Sequence, residues 1–133
     1  MERPRILVCG GRDFSDYDRL RSELYYQCDG RGWNYPLDDF GNTLPNVVII
    51  HGGAKGADEL ADEWAIVNWT GLEVYEANWD KYKNAAGPIR NQQMLDEGKP
   101  DLVIAFPTKK SKGTYDMIRR AEKAGIEVVV IGP

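Results

Sequence analysis

The sequence is poor in the residues that announce the commoner chemistries. Among its 133 residues it has two cysteines, Cys9 and Cys28, one histidine, His51, and three serines. Two cysteines make no disulfide framework, and Cys9 lies in an apolar run that reads as core. One histidine and no C-x-x-C leave no donor set for a structural zinc ion, so no metal is expected. G-x-S-x-G is absent, and with it the nucleophile elbow of a serine hydrolase. Also absent are the phosphate loop G-x-x-x-x-G-K-S/T and a G-x-G-x-x-G turn after the first strand, which disfavours an ATPase or an ordinary dehydrogenase. The longest apolar run, residues 102–106, is five residues, against the ~18–20 of a membrane span. The apolar stretch near the N-terminus, residues 6–9, falls short of the ~7–15 of a secretory signal. No membrane contact is expected, and the cytoplasm is the default location.

What is present suits one compact domain spanning residues 1–133, with 42% hydrophobic and 29% charged residues excluding a disordered chain. The net charge is −4, so a generic DNA-coating protein is disfavoured. The charge is uneven. Residues 1–80 carry 7 basic and 15 acidic side chains, whereas residues 81–123 carry 10 basic and 5 acidic. Such a split either focuses an anionic ligand on one part of the surface or simply marks solvated faces.

Short apolar runs alternate with helical patterns. Strands are predicted at residues 6–9, 46–50, 72–77, 101–106 and 128–131. Helices are predicted at residues 16–27, with Ser15 as N-cap, and at 57–68, 88–97 and 114–124. Pro88 suits a first helical turn, while Gly98 and Gly125 suit helix ends. Strict alternation with unbroken apolar strands predicts a three-layer α/β/α Rossmann-like fold: a mostly parallel five-stranded sheet of order 3-2-1-4-5. Residues 28–45, with three glycines and two prolines, break the pattern and read as an irregular insertion. It is a loop packed on itself, a lid over a ligand, or a subunit contact.

The glycines carry the functional signal. Gly10-Gly11 follows the first strand, Gly52-Gly53 and Gly56 follow the second, and Gly113-Thr114 opens the helix after the fourth. In a parallel sheet all strand-to-helix turns lie along the carboxyl edge, so the three should converge on one crevice at the topological switch point. Glycine allows close backbone approach, and the helix that follows offers unpaired N–H groups to an anion.

Four stretches in order carry a resemblance: Arg5 to Phe14, His51 to Asp58, Ala86 to Leu95 and Pro100 to Pro107. Together they are similar to the YspA-like proteins of the SLOG superfamily, whose wider relatives include the Lonely guy phosphoribohydrolases and the DNA-processing protein A fold. The resemblance implies a Rossmann-like domain that binds a nucleotide or nucleotide derivative, ADP-ribose- or NAD-related or a nucleoside monophosphate, as a sensor or sequestering module. The Lonely guy branch cleaves the N-glycosidic bond of nucleoside monophosphates. By that resemblance Arg90 and Asp116 would be the catalytic pair if the chain were an enzyme. The branch's Pro-Gly-Gly-x-Gly-Thr turn here reads from Pro107 to Thr114 without the paired glycines and with Lys109, Lys110 and Lys112. Its Glu-Glu pair is reduced to Asp116. Single-stranded DNA binding is a further alternative, against which the acidic charge counts.

The ligand-binding set is therefore Gly10, Gly11, Arg12, Gly52, Gly53, Lys55, Gly56, Asp58, Arg90, Asn91, Lys112, Gly113 and Thr114, with no cofactor and no metal. Arg12 either clamps phosphate or pairs with Asp13 or Asp16. Asp58 either accepts from ribose hydroxyls or favours a helix N-terminus, and Lys55 either meets phosphate or is solvated. Arg90 sits early in a helix, where a cation opposes the dipole, which favours a functional role. Asn91 caps or binds, and His51 makes a structural hydrogen bond. Trp79 and Tyr82 stack on a base or pack on the rim, while Trp64 and Trp69 are core or interface. A small-molecule nucleotide derivative is the expected partner, and a homo-oligomer the expected state.

Overall fold

A computed structural model describes residues 2–132. Its elements in chain order are β1 (Arg5–Gly10), α1 (Tyr17–Arg31), β2 (Val48–His51), α2 (Ala57–Asn68), β3 (Gly71–Val74), a single turn α3 (Trp79–Tyr82), a 3-10 turn (Lys83–Ala85), α4 (Ala86–Gly98), β4 (Leu102–Phe106), α5 (Lys112–Lys123) and β5 (Glu127–Val130). The strands form one sheet of order β3-β2-β1-β4-β5, parallel throughout. This is the predicted Rossmann-like arrangement. No helix is long and apolar enough to cross a membrane among the described residues.

Side-chain alternation makes the three layers. Ile6 and Val8 of β1, Ile49 of β2 and Ile104 of β4 face α1 and α2, where they meet Leu20, Leu24, Ala61 and the fully buried Trp64. Leu7, Cys9, Ile50, Val103 and Ala105 face the other way, onto Met94 of α4 and Met117 and Ala121 of α5. Both faces of the central strands are covered, which is why β4 reads as five consecutive buried residues. Trp64 is core: the Tyr25 ring meets it edge-on at 5.3 Å, and the Tyr25 hydroxyl donates to Asn68 Oδ1 at 2.9 Å.

The structure departs from the sequence reading at several boundaries: the second strand starts at Val48 rather than at residue 46, the third ends at Val74 rather than at residue 77, and residues 79–82 form an unforeseen helical turn. Helix α1 is capped by Asp16, whose carboxylate accepts from the Arg19 amide at 3.0 Å, rather than by Ser15. It also runs a turn further, to Arg31. Cys28 is buried against the core and Arg31 bonds Gln27 within the helix, so four residues assigned to the insertion are helical. Gly32, at φ +70°, then ends the helix in the left-handed conformation. At α4 the roles shift by one residue: Gly98 is still helical, packed beneath Ile50, and Lys99 takes the left-handed turn.

What remains of the insertion is a narrow antiparallel ribbon. Asn34 bridges Pro45, the Tyr35 amide donates to Leu44 O at 2.8 Å, and the Asp38 amide donates to Asn42 O at 2.8 Å. The tip is exposed, Phe40 by 87%. The ribbon joins the end of α1 to the start of β2, so it lies at the amino edge of the sheet. A lid over a carboxyl-edge crevice is thereby ruled out for this segment: the two ends of the sheet are opposite ends of the molecule.

Candidate functional site

At the carboxyl edge the chain leaves β1 toward α1 on one face and leaves β4 toward α5 on the other. The two turns splay apart and leave a cleft of about 1120 Å³. The floor is Cys9, Gly10 and Gly11 with Asp58. One wall holds Arg12 and Trp79, and the other is the loop and first turn of α5, with Lys109, Lys110 and Ser111 to Thr114. The start of α4, with Arg90 and Asn91, closes the back. Six basic side chains line the cleft against two carboxylates, Asp58 and Asp116, in a chain whose net charge is −4.

The sequence reading placed three glycine turns around one crevice; the structure brings all three turns to its rim, the second through Ala54 rather than through its glycines. Gly10, Gly11, Arg12, Asp58, Arg90, Asn91, Lys112, Gly113 and Thr114 line the cleft, as does Asp116. Gly52, Gly53, Lys55 and Gly56 do not. Gly53 instead borders a separate hollow with His51, Glu59, Asp62, Val74 and Glu76, and Lys55 is exposed on the loop. The second turn thus meets the cleft at Ala54 and otherwise supports it from behind, through the bonds of Gly52 and Ala54 to Arg90 and Asp58.

Contact of the chain with itself explains the absence of side chains at Gly11 and Gly56. A Cβ on Gly11 would lie 2.1 Å from Thr108 Oγ1, and one on Gly56 would lie 2.2 Å from Gly11 O. Gly56 also stands at φ +81°, open to glycine alone at little cost. The Gly11 amide donates to Phe106 O at 3.1 Å, so it is spent on the fold. Gly113 differs: a Cβ there meets nothing within 4 Å, and the position faces the open cleft at the first turn of α5.

A polar network joins the floor to both helices. Asp58 is buried, and its Oδ2 accepts from the Gly52 and Ala54 amides at 3.1 Å each. Its other oxygen has no donor among the described residues. Burial pushes the Asp58 carboxyl up, against the opposing pull of the Ala54 amide, His51 and Arg90. Arg90 Nη1 donates to Gly52 O and, at 3.4 Å, to Tyr75 O, while its Nε donates to Asn91 Oδ1 at 3.1 Å. Its Nη2 has no partner among the described residues. Burial lowers the Arg90 pKa, with Asp58 opposing. Asn91 Nδ2 reaches across to α5 and donates to Gly113 O at 3.1 Å and Asp116 Oδ2 at 3.0 Å. Burial alone would raise the Asp116 carboxyl, but the hydrogen bonds from Arg120 (2.8 Å) and Asn91 hold it below the usual carboxylate range.

Arg12 makes no ion pair with Asp13 or Asp16; its guanidinium lies 5.6 Å from the Trp79 ring centroid. Asp13 instead accepts from the Thr108 hydroxyl, tying the two turns across the switch point. Thr108 is held in turn by Ser111, whose Oγ accepts from the Thr108 amide at 2.7 Å. The sequence reading passed over this Asp13–Thr108–Ser111 clamp. Short hydroxyl residues just before a helix were its only local sign, and the partner 95 positions away was invisible. His51 is structural, as expected. Nδ1 accepts from the Gly53 amide at 3.0 Å, so Nε2 carries the proton toward Asp62 Oδ2, 2.7 Å away. Tyr82 stays outside the cleft, with Lys81 over its ring at 4.9 Å.

Residues 30–82 match the model of the YAcAr family, described as the YspA, cpYpsA-related SLOG family. A curated relative, the Gene 61 protein of Mycobacterium phage D29, is 33% identical over 133 aligned residues, covering 96% of each chain. The chain belongs to this SLOG family. No solved structure gives a significant match. The matched segment of this SLOG protein covers the ribbon, β2, α2, β3 and α3. It therefore includes Asp58 and Trp79 but not the β1 turn or the first turn of α5.

Proposed function

We propose that the carboxyl-edge cleft binds a nucleotide or nucleotide derivative, ADP-ribose- or NAD-related or a nucleoside monophosphate, and that the protein acts as a sensor or sequestering module. The observation that carries this reading is the pairing of an aromatic wall, Trp79 beneath the Arg12 guanidinium, with a lysine-bearing helix N-terminus across a cleft of about 1120 Å³. A base has a stacking surface at Trp79. Phosphates have Lys109, Lys110, Lys112 and the unpaired amides of α5. The unpartnered oxygen of Asp58 is an acceptor for a ribose hydroxyl.

Turnover is the weaker reading. Cleavage of an N-glycosidic bond needs a carboxylate free to face the ribosyl cation. Asp116, the single acid where the Lonely guy branch has a pair, is already engaged: its Oδ2 accepts from Asn91 and Arg120, and Arg119 lies 4.0 Å from its Oδ1.

Calorimetric titration with AMP, NAD and ADP-ribose, followed by chromatography of the recovered ligand, tests the proposal. At least one nucleotide is expected to bind and to return intact, with affinity falling about tenfold or more in Trp79→Ala, in line with ~1–3 kcal/mol for a base on an aromatic ring. Release of free base, abolished in Arg90→Ala, would establish the hydrolase instead. Absence of binding by all three, or binding indifferent to Trp79→Ala, would refute this use of the cleft. Binding of single-stranded DNA that weakens steeply with salt would favour the third alternative.

A further inference from the structure

At the far edge of the sheet, β3 is left with half of its backbone unpaired. Its bonds to β2 are made by alternate residues: the Gly71 amide donates to Val47 O at 3.0 Å and the Tyr75 amide to His51 O at 2.9 Å. In a parallel strand the N–H and C=O of one residue point to the same side. Leu72 and Val74 therefore turn both groups outward. Of the usual guards of an open edge, β3 has neither lysine nor proline; it is short, and its one charge, Glu73, is paired with Arg5. The side chains of Leu72 and Val74 are apolar and half-exposed. At the end of α2, just before β3, Ile66 and Trp69 are exposed by 65% and 83%, while Glu59, Asp62 and Glu76 stand around Val74. The opposite edge strand, β5, has only Val130 among the large exposed apolar side chains.

We propose that β3 pairs with β3 of a second copy, antiparallel about a two-fold axis normal to the sheet, joining two five-stranded sheets into one. The strand is self-complementary for this purpose. With Leu72 opposite Val74 of the second copy, every outward N–H and C=O of both residues finds a partner, in two equivalent rings. An axis normal to the sheet keeps the faces aligned, so Leu72 and Val74 of both copies floor a groove between the two α2 helices, with Ile66 and Trp69 at its sides. Glu73 meets its counterpart at the centre on the other face. Its charge is already matched by Arg5, whose Nη2 lies 2.5 Å from Glu73 Oε1. The exposed strip is on the order of a few hundred Å² of apolar surface, the size that marks association sites.

Sedimentation equilibrium and hydrogen exchange test this pairing. The wild-type protein at high micromolar concentration should have twice the monomer mass of 15.0 kDa, with the Leu72 and Val74 amides protected; dilution should expose them. Leu72→Pro removes an outward donor and no bond to β2, and it should halve the mass while leaving the circular dichroism unchanged. Trp69→Lys, at a site with little packing to lose, should weaken association at least tenfold and covers the case in which the proline variant fails to fold. A wild-type mass of one chain would overturn the proposal. So would a dimer that survives Trp69→Lys with the Leu72 and Val74 amides exchanging freely.

Discussion

Replacing Asn91 is the sharpest perturbation of the site short of touching the ligand-facing charges. Its side chain is buried and makes three hydrogen bonds: from Arg90 Nε, and to Gly113 O and Asp116 Oδ2. Two of these involve charged groups. Net values run to about 1 kcal/mol for a neutral bond and roughly 1.5–3 for a charged one. Arg90 and Asp116 both border the cleft, where water can replace part of what is lost. The expected cost of Asn91→Ala is therefore about 3 kcal/mol, against a total stability on the order of 5–15 kcal/mol. The variant stays folded and melts ~10 °C lower. Asn91→Asp sharpens the test, because it sets a second carboxylate against Asp116 and a carbonyl. At neutral pH it should be worse than alanine. Repulsion raises the pKa of one of the pair, so its deficit should shrink as acidification protonates that group. The wild-type sign is opposite. The depressed Asp116 carboxyl contributes stability above its unfolded-state pKa, and that stability is lost as pH falls through the lower folded value. Urea titrations followed by circular dichroism across the acidic range read both curves. An Asn91→Ala melting point within about 2 °C of wild type, or an Asn91→Asp variant insensitive to acid, would refute the assignment of this residue as the tie between α4 and α5.

Three further outcomes are expected. Gly56→Ala should destabilise by about 3 kcal/mol or more, measured in urea, because its Cβ meets the Gly11 carbonyl at φ +81°. Gly113→Ala should leave stability unchanged or raise it by roughly 0.5–1 kcal/mol, since the methyl meets nothing and helix propensity improves. By narrowing the cleft it should also weaken nucleotide binding, so calorimetry on a well-folded variant separates the two effects. Cys9 and Cys28 should resist a thiol reagent until the chain unfolds: burial pushes both thiols up, that of Cys28 to about 12.

The sheet was legible because its signals are local. An unbroken run such as residues 102–106 can only be buried on both faces, and alternation with helical periods leaves few topologies. Boundaries were less legible, because tertiary contacts set them. Helix α1 continues past Gln27 because Cys28 finds a core and Arg31 finds Glu127 on a distant strand at 2.6 Å. The site was half legible. That Arg12, Arg90 and Gly113 share a cleft follows from where parallel turns must lie. That Gly53 and Lys55 do not share it depends on how the second turn folds back over His51 and Asp58, which no spacing encodes. The glycine pattern has a second cause beside the cleft: Gly56 makes room for the backbone of Gly11 and Arg12, and Gly11 for the side chain of Thr108.

The ribbon of residues 33–46 gives the molecule a spare end. It hangs from the pole opposite the turns that shape the cleft. Trp33 anchors its base against the core, but the exposed tip around Leu37 and Phe40 is free to drift without disturbing what happens at the other pole, and a fluorophore or affinity tag grafted at Phe40 would ride along as a bystander. Such a division lets a small chain change what it is attached to while keeping what it holds.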